Sequence, residues 1–101
     1  MYVGLLELRF RIHGVRSLKG KRAVVRKIID RTRAKFPVAV AEVGDNDVPN
    51  AARIGVSVLG NDVRHVEGFV DKVLAFIEEM YAADLVDVER EVFLWGHKDE
   101  W

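Results

Sequence analysis

The hydrophobic period of this chain switches from two residues to a helical turn and back, twice over, and that order of switches constrains the fold more than any other feature. Leu6, Leu8, Phe10 and Ile12 alternate with Glu7, Arg9 and Arg11, so residues 2–12 are expected to form a strand with one face on a core and one in water. Ser17 then opens a run in which Leu18, Val25, Ile28, Ile29 and Phe36 recur at helical spacing, closed by Pro37. A serine there accepts an orphan amide and a proline forbids continuation, which predicts a helix over 17–36. Residues 38–43 and 53–59 flank the polar segment 44–50, the pattern of a hairpin with a long loop. After Gly60-Asn61-Asp62, an apolar face of Val66, Phe69, Val70, Val73, Leu74, Ile77, Met80 and Tyr81 predicts a second helix over 62–83. Val86, Val88, Val92 and Leu94, interleaved with acids, predict a last strand over 85–95.

The order is βαββαβ. Each helix joins two strands that must lie parallel in one sheet, and right-handed crossovers place both helices on the same face. The expected fold is an α+β, ferredoxin-like sandwich: a four-stranded antiparallel sheet of order 4-1-3-2 under two helices, forming a single domain over 1–101 with a short tail at 96–101. The helix-free face is expected to be polar, carrying Asp87, Glu89 and Glu91 beside Glu7, Arg9 and Arg11, with Arg53, Ser57 and Glu42 farther along. Ion pairs between Glu89 or Glu91 and Arg9 or Arg11 are expected across the strands.

Composition removes several chemistries. With no cysteine among 101 residues there is no disulfide scaffold, thiolate nucleophile or cysteine-bound metal. His13, His65 and His97 lack ligand spacing, and Asp45-Asn46-Asp47 is followed by Val48-Pro49 where a calcium loop needs alternating oxygens and a glycine. No metal and no cofactor are expected. Ser17, Ser57 and Thr32 are the only aliphatic hydroxyls, too few to build an acyl-transfer triad around. No stretch approaches the roughly 20 apolar residues of a membrane span, so a cytoplasmic protein without a membrane partner is expected.

Sixteen basic and sixteen acidic residues cancel, but they are segregated: residues 17–36 hold eight cations and one acid, while 62–101 hold four cations and eleven acids. At 100° per residue, Lys19, Arg22, Arg26 and Arg33 fall along one edge of the first helix, diluted only by Asp30. Such a stripe follows a phosphate backbone, and the helix N-terminus near Ser17, Lys19 and Lys21 adds a positive dipole. Contact with RNA or another polyanion is the functional expectation. A neutralised, solvated helix packed beside the acidic second helix is the plainer alternative. The aromatics with which a sheet of this kind stacks RNA bases are missing from the two central strands, where Glu7, Arg9, Arg11, Arg53, Gly55 and Ser57 face outward.

Phe93 and Trp95 share the outward parity of the last strand, and Trp101 follows. Exposed aromatics mark contact surfaces, so a protein-interaction or homodimer module using the open face is the second expectation. A third is a small anion-handling, acylphosphatase-like enzyme at Gly14–Arg22, in which Arg16 would hold the anion. The asparagine that such chemistry needs on the third strand is absent, and Asn61 falls at the wrong end.

Taken together, Ser17-Leu18-Lys19-Gly20-Lys21-Arg22, Ala41-Glu42-Val43, Asp47 and Ala52-Arg53-Ile54-Gly55-Val56 resemble the YlxP-like family of small bacterial proteins, over about residues 1–92. The resemblance implies a ferredoxin-like domain with no established biochemical role, whose genes often neighbour those of translation initiation and ribosome maturation. It therefore implies RNA or a ribosomal particle as partner, and brings no catalytic assignment. The recurring positions fall on Ser17, Leu18, Lys19, Lys21, Arg22, Glu42, Asp47, Arg53 and Gly55. Ser17 is expected to cap, Leu18 to anchor the helix in the core, and Glu42 to pair with Arg53 across the hairpin. Lys19, Lys21 and Arg22 are left for anion contact.

Overall fold

A computed structural model describes residues 1–96. The strands are β1 (Tyr2–Arg11), β2 (Ala39–Gly44), β3 (Ala51–Gly60) and β4 (Asp84–Leu94), and the helices are α1 (Leu18–Lys35) and α2 (Val63–Glu79). They form one antiparallel sheet of order β2-β3-β1-β4, so the expected ferredoxin-like architecture is borne out. His97, Lys98 and Trp101 lie outside the described residues.

Local chemistry sets the element ends. The Ser17 hydroxyl accepts the Gly20 amide at 3.2 Å, and the Asp62 carboxylate accepts the His65 amide at 3.0 Å, each satisfying an amide that the first helical turn leaves orphaned. α1 ends where Phe36 turns extended before Pro37. Phe36 then meets Phe69 and Phe76 of α2 edge to face, at centroid separations of 5.5 and 5.4 Å, which fastens the C-terminal end of α1 to α2.

The core lies between the sheet and the helices. Leu6, Leu8 and Phe10 of β1, Ala52, Ile54, Val56 and Val58 of β3, and Val40 of β2 face Val25 and Ile28 of α1 and Val66, Val70, Val73 and Ile77 of α2. α2 sits low on the sheet because Gly4 and Gly60 lie beneath it: a Cβ on Gly4 would fall 2.7 Å from Val70, and one on Gly60 2.7 Å from Val66.

Several expectations are corrected. Leu18 is half-buried and outside the core cluster, and Val25, Ile28 and Thr32 carry the apolar stripe of α1 instead. In β4 a bulge opposite Arg9 and Phe10 lets Leu85 take the inward position expected of Val86, which is exposed. The same register sets Asp87 opposite Arg9 and Asp84 opposite Arg11. Glu89 therefore meets Glu7, and Glu91 meets Leu5, so neither glutamate makes the expected cross-strand pair.

The helix-free face is polar only in part. Val3, Leu5, Leu59 and Phe93 share it with Ala39, Ala41 and Val43, because residues 2–6 are apolar at both parities and put side chains on both sides of the sheet.

Candidate functional site

The cations expected to read phosphate separate into three environments. Lys19, Arg22 and Arg26 are exposed and form no ion pair among the described residues. Their spacing along α1 carries them over about 10 Å at 1.5 Å per residue. The acids of α2 do not neutralise them. Asp71 pairs instead with Arg90 of β4 at 2.6 Å, and the Glu67 carbonyl accepts from the same guanidinium.

Arg33 is exposed but engaged. Its Nη2 donates to the Val40 carbonyl at 2.9 Å, on the strand that forms one edge of the sheet. The stripe Arg22, Arg26 and Arg33 therefore runs down the side of α1 that flanks β2, and its last member guards that edge.

Lys21 is not an anion-contact residue. It is 1% exposed, its Nζ lies 2.9 Å from Glu42 Oε2, and it donates to the Asp45 carbonyl. The physical reason is angular: Lys21 precedes Val25, Ile28 and Thr32 by four, seven and eleven residues, which places it on the buried stripe. Glu42 is corrected with it. It shares the inward side of β2 with buried Val40, and opposes Ile54 rather than Arg53. A register shift between Glu42 and Gly44 places Gly44 opposite Arg53. Glu42 Oε2 has no directed hydrogen-bond partner, so its stabilisation is the Coulombic attraction of the ammonium.

Arg53 turns to Asp45, with Nε 3.3 Å from Oδ2. Asp45 adopts φ 57°, a left-handed conformation that aspartate tolerates better than most residues. Gly44 leaves room for the Arg53 stem, because a Cβ there would fall 2.8 Å from Arg53 Cδ. Lys21, Glu42, Asp45 and Arg53 thus form one clasp joining α1, β2, the 45–50 loop and β3. Ile12 ties in a fifth segment by donating its amide to the Asn50 carbonyl at 2.9 Å. Sequence reading treated Asp45 only as a turn residue and missed its place in the clasp. Asp47 is exposed on the same loop.

Two further arginines lie near the N-terminus of α1. Arg11 closes β1, and the 12–17 segment, carrying exposed Arg16, leads directly to the N-terminus of α1. Ser17 occupies the Gly20 amide, while the amides of Leu18 and Lys19 have no helical acceptor. Gly14 takes φ 72° in this loop. Asn61 lies beyond Gly60, which pairs with Tyr2 at the far end of β1, roughly 30 Å away at ~3.4 Å per residue. It does not join Arg16.

Phe93 is half-buried opposite Val3. Trp95 is exposed, and its amide donates to the Met1 carbonyl at 2.8 Å. Among the described residues no group of three or more histidines and carboxylates is placed to hold a metal ion, and no helix is long and apolar enough to cross a membrane.

Comparison with known proteins returns a family and a fold. The profile of the family described as "Protein of unknown function (DUF503)" matches residues 3–90. The Uncharacterized protein YlxP of Bacillus subtilis (strain 168) is 33% identical over 76 residues, covering 75% of this chain and 83% of that protein. A de novo designed protein with a ferredoxin fold, solved by solution NMR, superposes with a TM-score of 0.56 at 12% identity, over 94% of this chain and 87% of its own. At that identity the likeness concerns the fold alone.

Proposed function

The chain belongs to the DUF503, YlxP-like family, and from that premise we propose that it is a non-enzymatic accessory module of the cytoplasm that contacts RNA, within a ribosomal or maturation particle, through α1. Lys19, Arg22 and Arg26 are the phosphate contacts, with Ser17 holding the N-terminus of the helix in place and Arg16 extending the basic surface. The single observation carrying this reading is that three exposed cations share one stripe of α1 without an acidic partner among the described residues. Exposed cations held by a rigid helix keep their charge for a polyanion and release condensed counterions on contact. The gene neighbourhood implied by the family resemblance points to the same partner class. Lys21 is excluded from the interface by burial, and Arg33 contributes only its residual exposed surface.

The test is a fluorescence-anisotropy titration of small-subunit ribosomal RNA fragments at several salt concentrations. Affinity should fall with salt by roughly 0.7–0.9 in log–log slope per phosphate contact, and K19E/R22E/R26E should lower that slope by about two to three. A folded triple variant with unchanged affinity and slope refutes the proposal. So does wild-type protein that fails to bind at about 100 mM salt while a control RNA-binding protein does.

A further inference from the structure

The face of the sheet turned away from α1 and α2 carries an arrangement that RNA contact does not use. Rows of residues cross it from β2 to β4. Leu59, Val3 and Phe93 form one row and Ala39, Ser57, Leu5 and Glu91 the next. A third row runs Ala41, Gly55, Glu7 and Glu89. Leu5, Val43 and Leu59 are exposed, Leu59 by 62%. A shallow cavity of about 630 Å3 opens here, floored by Leu5, Ala41, Val43 and Gly55, rimmed by Glu7, Glu89 and Glu91 on the β1–β4 side, and bordered on the β2 side by Arg33, whose guanidinium is held by the Val40 carbonyl. Gly55 keeps the floor low, since a Cβ there would fall 2.9 Å from Val43 and project into the cavity.

The rim is electrostatically unresolved. Glu7 and Glu89 are directly opposed across β1 and β4, a like-charge pairing that costs stability. Neither they nor Glu91 pair with a cation among the described residues. A floor of exposed aliphatic side chains beside three unpaired carboxylates fits a ligand that is apolar on one side and cationic on its flank.

A second copy of the chain meets this requirement poorly. Stacking two such faces at full overlap with parallel strands reverses the strand order, which sets Glu7 and Glu89 against Gly55 and Ala41 with no cation to meet them, and Arg9 against Arg53. With antiparallel strands it sets the Val3 and Leu5 rows against Arg9, Arg11 and Arg53. We propose that the open face docks an amphipathic, lysine- or arginine-flanked segment of a partner protein. Its apolar side chains sit on Leu5, Ala41, Val43 and Gly55, and its cations lie against Glu7, Glu89 and Glu91. The contact is on the opposite side of the sheet from α1, so it can be made or lost independently of RNA.

The experiment is an NMR titration of the isotopically labelled full chain with a synthetic Leu/Lys peptide of about 18 residues and helical period, run beside a scrambled permutation and a Leu/Glu counterpart. The Leu/Lys peptide should shift the amides of Leu5, Glu7, Ala41, Gly55, Glu89 and Glu91 and leave α1 undisturbed. Glu7→Lys combined with Glu89→Lys should weaken its binding at least about tenfold and favour the Leu/Glu peptide. Leu5→Ser should weaken it by removing floor rather than charge. Perturbation confined to α1 overturns the proposal, as does equal binding of the scrambled peptide or equal affinity of the charge-reversed variant. Open-face resonances that move with protein concentration alone also overturn it, by identifying a second copy as the occupant.

Discussion

Replacing Lys21 by methionine separates its structural role from any contact with RNA. Lys21 is 1% exposed and its ammonium lies 2.9 Å from Glu42 Oε2, so the substitution removes the only cation paired with that carboxylate among the described residues. Breaking a buried ion pair from one side costs about 3–5 kcal/mol. The Glu42 side chain retains 21% exposure, and partial rehydration places Lys21→Met at the lower end, about 3 kcal/mol. For a domain of this size that lowers Tm by roughly 12–24 °C. Glu42→Leu alone strands the more deeply buried ammonium and should cost about 4 kcal/mol. The double variant, in which no buried charge remains, should lie within about 2 kcal/mol of wild type, a coupling of several kcal/mol in a double-mutant cycle. Urea unfolding followed by circular dichroism reads all four proteins. Below its lowered midpoint, Lys21→Met should bind RNA within about twofold of wild type, because a buried Nζ reaches no phosphate. A Lys21→Met protein within about 1 kcal/mol of wild type, or one folded but tenfold weaker for RNA, refutes this reasoning.

Two further substitutions test the packing. Gly4→Ala should destabilise by about 1–3 kcal/mol in the same unfolding assay, since its Cβ would fall 2.7 Å from Val70 and 2.9 Å from Val66; a neutral result would show that α2 can lift off the sheet freely. Tyr81 holds φ 48° at 86% exposure, so Tyr81→Gly should stabilise by up to about 1 kcal/mol by relieving the left-handed backbone, measured as a rise in Tm, and a fall would show that its ring contributes packing after all.

Much of the fold was legible because the strands of the core alternate cleanly. Leu6, Leu8 and Phe10 fixed the inward side of β1, and Ile54, Val56 and Val58 did the same for β3. The misreadings arose where one residue changes parity. Glu42 belongs inward only if a buried cation waits for it, and that cation, Lys21, comes from a helix 21 positions earlier in the chain. Neither charge signals burial by itself. The spacing of Lys21 from Val25 and Ile28 was the available clue, but a lysine on an apolar stripe more often extends its head to water. Val86 was misplaced because a bulge leaves no compositional mark. The open face was expected to be polar because Glu7, Arg9 and Arg11 set its parity, and Val3 and Leu5, which share that parity, make it partly apolar. The phosphate-contact candidates Lys19, Arg22 and Arg26 were legible from helical periodicity, whereas the engagement of Arg33 depended on the position of β2.

The placement of acids along β4 bears on how the protein behaves when concentrated. This strand forms the long outer edge of the sheet, and Asp84, Asp87, Glu89 and Glu91 lie along it. Two copies meeting edge to edge would bring carboxylate against carboxylate along the ladder, so the edge resists sheet propagation by repulsion. At the other edge the Arg33 guanidinium, held by the Val40 carbonyl, sets a charged side chain beside β2. Colloidal stability is thereby built into the sheet borders of a chain whose formal net charge is zero, and because the repulsion at β4 acts through water, it weakens as added salt shortens the screening length to a few ångströms.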